Sequence, residues 1–310
     1  MGANFLKWKE FAPSGNIAVP FTFHPNFPWI DRVREYIESM NKDLGCIELM
    51  HVPYEELDIS DYKFGLLFVH KSQTRRGGCW SALGRRPGFT GSRGSITEYG
   101  APDSWQLVQL EETCGGKTYK LFFDKINYIL FFFPLGDTKP VVQHQCLHAL
   151  GLAHEHNRGD RDDFVTVHPE RYQDGLRSSM TWKFRDVNWQ DSGHPFELGS
   201  AMMIASHKAK KGRAPPLTLK DGSTWGMHSI MSTTDALQIH HRYCRFLPGF
   251  ESKETVDCPV PDRVGIIRPV FKDRICDSIP DCEGGVDEDG TMGECAMPEE
   301  YVQLEYYFFS

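Results

Sequence analysis

The sequence predicts an α+β fold, because strand and helix patterns are mixed along the first half of the chain and the second half is mostly irregular. The segment IAVPFTF at 17–23 is rich in β-branched and aromatic residues, which are typical of a strand. From Ile30 to Leu44 apolar residues recur every three or four positions, as on one face of a helix. After about residue 184 the content of Gly, Pro and Ser rises, and only a helix near 233–243 is expected.

Each remaining regular element has its own local signal. Pro28 suits the first turn of the early helix, and Gly45 suits its end. Strand patterns follow at 47–53 and 64–70. The segment VVQHQCLHAL at 141–150 is compatible with a largely buried helix.

Two segments between these elements are less regular. Residues 75–105 are rich in Gly, Arg and Ser and predict a loop with short strands. The longest apolar run, LFFDKINYILFFFPL at 121–135, is shorter than the roughly 20 residues that span a bilayer, and the charged Asp124 and Lys125 interrupt it. We expect a buried or edge strand there, and no membrane span.

The charge balance and the cysteine content bound the function. With 34 Lys and Arg against 42 Asp and Glu, the net charge is −8, which argues against a nucleic-acid partner because phosphate contacts need clustered cations. Nine cysteines are too many for a typical cytosolic enzyme, and since the number is odd at least one lacks an intramolecular partner. The first residues, MGANFLKWKE, contain no apolar run of a secretory signal. We therefore expect a fragment or processed form of a secreted, extracellular protein.

The highest concentration of candidate metal-binding residues lies in the segment HQCLHALGLAHEH at 144–156. His144 and His148 are four residues apart, so on a helix both lie on one face and can bind one metal ion. Gly151 can adopt the turn that ends the helix and brings His154 round as a third ligand. Three imidazoles leave a fourth position open for water, which is the layout of a catalytic zinc site rather than a closed structural one.

The pattern H-x-x-x-H-x-x-G-x-x-H, followed by Glu155, resembles the metzincin signature of the astacin family of zinc endopeptidases. Further segments are similar to that family in the same order: SGNIAVPFTF near the start, GCWSALGR at 78–85, HEHNRGDRDDFVTV at 154–167 and STTDALQIHHRYC at 232–244. The resemblance covers about residues 5–246.

This resemblance implies two subdomains that flank a cleft, an upper one with a twisted sheet and two long helices and a lower one that is largely irregular. Zinc would lie on the cleft floor, held by the three histidines, and a polypeptide substrate or ligand would lie in the cleft. Met202 would form the hydrophobic base beneath the metal, and Glu155 would pair with an amino terminus freed by propeptide removal. Two disulfides are also implied, Cys46–Cys244 and Cys79–Cys114.

Two positions depart from the family pattern. Gln145 follows the first histidine, where astacins carry the Glu that takes a proton from the attacking water and passes it to the leaving amine. A glutamine amide can hydrogen-bond that water but cannot accept its proton near neutral pH. In the Met-turn, SAMMI at 200–204, Ile204 replaces the family's Tyr, which switches between metal ligand and oxyanion donor. Both departures predict impaired catalysis with zinc binding retained.

Residues 117–136 look inserted relative to the family pattern, between Cys114 and His144. The run is either a genuine edge element or translated non-coding sequence. A genuine insertion would enter just before the active-site helix and could obstruct the cleft.

The C-terminal segment RICDSIPDCEGGVDE at 274–288 carries closely spaced carboxylates around two cysteines. Hard oxygen ligands in a short, disulfide-pinned loop suit Ca²⁺. The candidate calcium ligands are Asp277, Asp281, Asp287 and Glu288. The alternative is an acidic, solvated tail.

This segment resembles the second half of an LDL-receptor class A module, which would add the carbonyl oxygens of Arg274 and Ile279 as calcium ligands. A complete module has six cysteines, and only four are present here. The resemblance pairs two of them, and the other two are a plausible second pair, which gives the bridges Cys276–Cys295 and Cys258–Cys282. Cys146, on the histidine helix, is then the free thiol, and a small buried hydrophobic residue is its expected role.

Together these segments predict a four-part organisation. It comprises an astacin-like peptidase domain at 1–247, a Pro-rich linker at 248–270, a partial LDL-receptor class A-like module at 271–298 and a tail at 299–310.

Three functions compete. The favoured one is an astacin-like zinc scaffold that binds or shields polypeptides and is catalytically impaired or inactive. The second is an active secreted zinc metalloendopeptidase that hydrolyses peptide bonds. The third is a non-catalytic, disulfide-rich binding or matrix protein whose histidines no longer hold metal.

Overall fold

The computed structural model describes residues 7–57, 62–70, 72, 79–86, 105–111, 139–171, 181–183, 193–204, 206, 214–225, 230–293 and 295. Over these residues the helices are α1 (Ile30–Asn41), α2 (Lys139–Leu150) and α3 (Thr233–Ile239), and α3 continues into a π-helical turn at His240–Cys244. The strands are β1 (Ile17–Phe23), β2 (Ile47–His51), β3 (Leu66–His70), β4 (Trp80–Ser81), β5 (Gln106–Leu110), β6 (Val165–Val167), β7 (Leu217–Leu219), β8 (Thr255–Asp257) and β9 (Pro269–Phe271). No described helix is both long and apolar enough to cross a bilayer.

The first half of the chain builds one sheet with the strand order β2-β1-β3-β5-β4. The first four strands of that order run parallel, and the short β4 pairs antiparallel to β5 at the edge. Every residue of β1, β3 and β5 is buried, as expected for strands covered on both faces. The predicted strands at 17–23, 47–53 and 64–70 are confirmed.

Helices α1 and α2 pack against each other within the main core. In α1, the apolar spacing buries Val33, Ile37 and Met40, and the chain turns away through Gly45, whose φ of +66° favours glycine. In α2 nearly every residue outside the first turn is buried, which confirms the predicted largely buried helix. Gly151 follows with φ of +101° and ends α2 as predicted.

The second half contains a smaller core of its own. The antiparallel pair β6 and β7 packs with Phe196, Leu198 and Trp225 in an apolar cluster separate from the main one. Residues 200–204 lie between the two cores, because Met202 belongs to the main cluster while Met203 and Ile204 belong to the smaller one.

Disulfide bonds join distant parts of the chain. Cys46 pairs with Cys244, and this bridge ties the start of β2 to the end of the π-helical turn, as predicted. The pairs Cys258–Cys282 and Cys276–Cys295 are also formed as predicted, and Cys146 is free and buried. Cys79 is disulfide-bonded, and its predicted partner Cys114 lies outside the described residues, as do the predicted strand at 121–135 and the insertion at 117–136.

Residues 254–274, which we call the C-terminal strap, pack onto the main core. The strap contains the hairpin β8–β9 and a 3₁₀ turn at Lys272–Arg274. The side chain of Phe271 is fully buried in the main cluster, and its backbone N–H donates to Thr233 Oγ1 at 3.1 Å. The segment 248–270, for which we predicted a linker, therefore contains most of a regular hairpin. The domain boundaries at 247 and 270 remain predictions.

We expect Phe271→Ala to lower the free energy of unfolding by about 3–5 kcal/mol, because it empties a fully buried aromatic site in the main core. The measurement is urea unfolding followed by circular dichroism. Ile267→Ala is the matched control, since Ile267 lies on the same strap but is 48% exposed, and it should change stability by less than about 0.5 kcal/mol. Equal, small effects of both substitutions would contradict the burial of Phe271 in the main core.

Candidate metal centre

Three imidazole rings converge on one point. Nε2 of His154 lies 3.2 Å from Nε2 of His144 and 3.2 Å from Nε2 of His148. Tetrahedral coordination with Zn–N bonds of 2.0–2.1 Å places ligand nitrogens about 3.3 Å apart, so the spacing fits one zinc ion. Among the described residues this is the only group of three or more His, Cys, Asp or Glu with ligand atoms close enough to share a metal.

The local sequence explains why these rings meet. His144 and His148 are one turn apart on α2 and therefore project from the same face. The positive φ of Gly151 reverses the chain, and Leu152 N–H donates to the carbonyl of Leu147 at 2.9 Å. This tight exit brings His154 back toward the helix face.

Main-chain carbonyls orient two of the three rings. Nδ1 of His144 lies 2.7 Å from the carbonyl oxygen of Ala201, and Nδ1 of His148 lies 2.8 Å from that of Leu152. Because a carbonyl only accepts, each Nδ1 carries the proton and each Nε2 lone pair faces the shared point. Burial lowers the pKa of His148 to about 3, and the nearby His144 adds to this, so the ring stays neutral as a metal ligand must.

The predicted Met-turn lies against this centre. Its Ala201 carbonyl holds His144, and the carbonyl of Met202 accepts the backbone N–H of Glu155, next to His154, at 3.0 Å. The side chain of Met202 is buried in the main core. The turn thus contacts the segments of two histidines.

Gln145 and Ile204, the two departures from the family pattern, are both buried. Gln145 Oε1 has no hydrogen-bond partner among the described residues. A buried acceptor of this kind normally finds a partner, and a water molecule at the open fourth position of a metal would provide one. Ile204 packs in the smaller apolar core, and its carbonyl accepts the indole N–H of Trp225 at 2.9 Å. Its side chain brings no hydrogen-bonding group to this part of the molecule.

Glu155 is buried directly behind the centre. Its Oε1 accepts from Arg158 at 2.9 Å and from the backbone N–H of Glu197 at 3.1 Å. Burial raises the pKa of Glu155 to about 8, although Arg158 opposes this shift, and the negative charges of Asp235 and Glu197 add to it. The resemblance implied an amino-terminal partner for Glu155, and the first six residues lie outside the described part of the chain.

Sequence reasoning missed a second group of buried polar side chains behind the Met-turn. Asp235 accepts from Ser200 Oγ at 2.6 Å and from the backbone N–H of Ala201 at 2.8 Å. Glu197 accepts from Ser232 Oγ at 2.7 Å. The one local signal is the capping box that Ser232 and Asp235 form at the start of α3.

The predicted calcium ligands lie on the C-terminal segment, away from the histidines in sequence, and most of their contacts are to backbone N–H groups. Asp287 accepts from the N–H groups of Asp281 and Cys282 at 2.7 and 3.1 Å, and Glu288 accepts from those of Asp277 and Ser278. Asp281 Oδ1 accepts from Arg274 at 3.1 Å, whereas Asp281 Oδ2 is buried with no hydrogen-bond partner among the described residues.

The fold and the site together define a class of protein. A mostly parallel sheet beside two packed helices supports three histidines whose ligand nitrogens could share one metal ion. Three protein ligands are the set that a catalytic-type zinc site would use. This is the class of the zinc metallopeptidases that carry H-x-x-x-H-x-x-G-x-x-H.

Comparison with known proteins relates part of the chain to one family. Residues 135–244 match the sequence model of Astacin (Peptidase family M12A). The zinc metalloproteinase nas-37 of Caenorhabditis elegans is 32% identical over 112 residues, which cover 35% of this chain and 14% of the relative. The zinc metalloproteinase nas-27 of the same organism is 25% identical over 199 residues, which cover 63% of this chain and 33% of the relative. Residues 135–244 therefore carry the sequence pattern of the astacin family of zinc metallopeptidases.

A solved structure supports the same fold. High choriolytic enzyme 1, a hatching enzyme zinc-protease from Oryzias latipes, aligns with a TM-score of 0.52 and 19% identity over 76% of this chain and 94% of that one. At this identity the likeness concerns the fold alone. The chain spans a third or less of the length of the two curated relatives named above.

We expect the folded chain to bind about one equivalent of zinc, and His148→Ala to weaken that binding by more than about 100-fold, since it removes a direct ligand. The measurement is metal content after dialysis, with affinity from competition against a chromogenic chelator. His168→Ala is the control, because His168 lies near Thr218 on the β6–β7 side and is not one of the three ligands. Less than about half an equivalent of zinc on the unmodified chain would contradict the site.

Proposed function

We propose that this protein is a zinc-binding astacin-type scaffold whose peptidase chemistry is impaired, and that it binds or shields polypeptides at the metal centre. The observation that carries the proposal is Gln145, which stands beside the first of three well-placed ligands where the family has its general base. The number of disulfide bonds supports an extracellular setting.

The chemistry of Gln145 explains the expected loss. The three histidines would hold zinc, which would supply Lewis-acid chemistry toward a peptide carbonyl. Hydrolysis also needs a side chain that removes a proton from water and delivers it to the leaving amine. The amide of Gln145 can orient the water through Oε1 but has no basic lone pair near neutral pH. Loss of a general base typically costs about 10²–10⁴ in rate.

Ile204 supports the same conclusion independently. The family position carries a phenol that can donate to developing negative charge, and one such donor is typically worth about 10²–10³ in kcat. An isoleucine packed in the smaller core supplies no donor. Two losses that act on different parts of one reaction favour impaired over active peptidase, although the complete ligand set keeps an active endopeptidase as the second candidate.

We expect Gln145→Glu to raise peptidase turnover at least about 100-fold over the unmodified chain, because it restores the missing proton acceptor. The measurement is cleavage of a quenched-fluorescence peptide library by zinc-loaded protein. His148→Ala in the Gln145→Glu background is the matched control and should abolish the gained activity.

Two outcomes would overturn this assignment. Clear turnover by the unmodified chain that His148→Ala removes would establish the active endopeptidase. Turnover that stays absent in Gln145→Glu and in the double variant Gln145→Glu/Ile204→Tyr would show that neither departure explains the inactivity.

We also propose that the C-terminal segment binds calcium. What supports this is Asp281, whose Oδ2 is buried without a hydrogen-bond partner among the described residues. Burial raises the pKa of the Asp281 carboxyl to about 6, with Asp277 and Asp287 adding to the shift. A divalent cation would satisfy this oxygen and relieve the repulsion among the carboxylates.

We expect calcium at about 10 mM to raise the melting temperature of the full chain. This concentration is well above the dissociation constants of even the weakest extracellular calcium sites. Asp281→Asn should remove most of that increase, since it deletes one charge at the buried position. Asp289→Asn is the control, because Asp289 lies nearby but accepts from Thr291 and is not a predicted ligand. An unmodified chain whose melting temperature does not respond to calcium would refute the site.

A further inference from the structure

A line of hydrogen bonds begins on the C-terminal strap and enters the protein interior. Arg268, on the strap, places its guanidinium 3.4 Å from Oε1 of Glu197, and both side chains are almost fully buried. The other carboxylate oxygen of Glu197 accepts from Ser232 Oγ at 2.7 Å. Ser232 is the N-cap of α3, so the strap is coupled to the start of that helix.

The same line continues to the metal centre. Ser232 Oγ accepts from the backbone N–H of Asp235 at 3.0 Å, and Asp235 Oδ2 accepts from the backbone N–H of Ala201 at 2.8 Å. The carbonyl of Ala201 accepts from Nδ1 of His144 at 2.7 Å. Arg268 is therefore connected to the first histidine through buried groups alone, with each contact within hydrogen-bond distance.

The charge balance makes Arg268 important to this arrangement. Glu197 and Asp235 are both buried, and the pKa of each is raised by burial. For Glu197 the charge of Asp235 raises the pKa further, whereas Arg268 lowers it. The other nearby guanidinium, Arg158, is paired with Glu155 and Asp160. An ion pair whose partner is removed leaves an uncompensated buried charge, which is strongly unfavourable.

Gly199 makes the approach of Arg268 possible. A Cβ atom built on Gly199 would overlap Nη1 of Arg268, so any side chain at this position would displace the guanidinium. Gly199 directly precedes Ser200, the first residue of the Met-turn. The guanidinium is thus seated against the backbone that leads into the turn.

Contacts on either side of Arg268 hold it in this place. The carbonyl of Arg268 accepts the backbone N–H of Cys258 at 2.8 Å, and Cys258 is bridged to Cys282. On the other side, Arg274 pairs with Asp43 at 2.9 Å and buries its side chain. The segment from Arg268 to Arg274 is therefore held at both ends.

We infer that Arg268 is a positioning residue for the metal centre: it neutralises Glu197 and so keeps the Glu197–Ser232–Asp235 group aligned behind the Met-turn, which fixes the ring of His144. The inference rests on the proposed zinc site. It gives the C-terminal strap a role in metal affinity, although the strap lies beyond the matched family region at 135–244. Loss of a side chain that orients a metal ligand typically lowers metal affinity by about 10–100-fold.

The experiment uses the full chain and compares zinc affinity by chelator competition, together with the visible spectrum of the cobalt-substituted protein. Arg268→Met should weaken zinc binding about tenfold and change the cobalt spectrum, because the His144 ring loses its fixed orientation. Arg268→Lys retains the charge and should remain close to the unmodified chain. Arg263→Met is the matched control, since Arg263 is on the same strap but contacts Thr224 and Ser223 at the surface.

Two further variants separate positioning from general destabilisation. Arg268→Met/Glu197→Gln removes both charges and should recover most of the lost affinity, which loss of packing alone would not allow. Gly199→Ala should reproduce the Arg268→Met effect by displacing the guanidinium, and it decides the question if Arg268→Met does not fold. Zinc binding by the unmodified chain with no change in Gly199→Ala or Arg268→Met would refute this inference alone, whereas no zinc binding by the unmodified chain would refute the proposed function.

Discussion

The hydrogen bond between His144 and the carbonyl of Ala201 is the interaction on which the metal centre depends. It joins α2, which belongs to the main core, to a turn that lies between the two cores. Other contacts fix α2 so that this bond can form: Trp8 donates to the carbonyl of Ala149 and Tyr243 to that of Leu150, each across a long stretch of chain. The site is therefore assembled by packing of distant segments onto one helix, and the histidine spacing only supplies the ligands.

Much of the upper part of the fold could be predicted because its signals are local. The pattern at 17–23 is a strand whichever strands flank it, and the 3.6-residue spacing of α1 buries one face wherever the helix packs. Strand β5 escaped detection because Gln106 and Gln109 interrupt its apolar pattern and yet are buried within the sheet. The hairpin β8–β9 was hidden by prolines, which suit edge strands as well as connectors.

The residues of the metal centre also fall into those that the sequence predicts and those that it does not. The histidines and Gly151 follow from spacing within one short helix and its exit turn, where the chain dictates which atoms meet. Met202 follows from the family resemblance alone. The supporting carboxylates Glu197 and Asp235 act through partners that lie far apart in sequence, and no local pattern records such a contact. A resemblance to a family also could not reveal Arg268, because it lies beyond the matched region.

The buried thiol of Cys146 has a consequence for oxidative folding. The other eight cysteines can pair completely, so an accessible ninth thiol would attack finished disulfides and scramble them. Burial raises the pKa of Cys146 to about 12, which leaves almost none of the reactive thiolate at neutral pH. Helix α2 must therefore be packed before oxidation ends if the native pairs are to persist. The helix that presents the metal ligands also protects the correct cross-links of the whole chain from exchange.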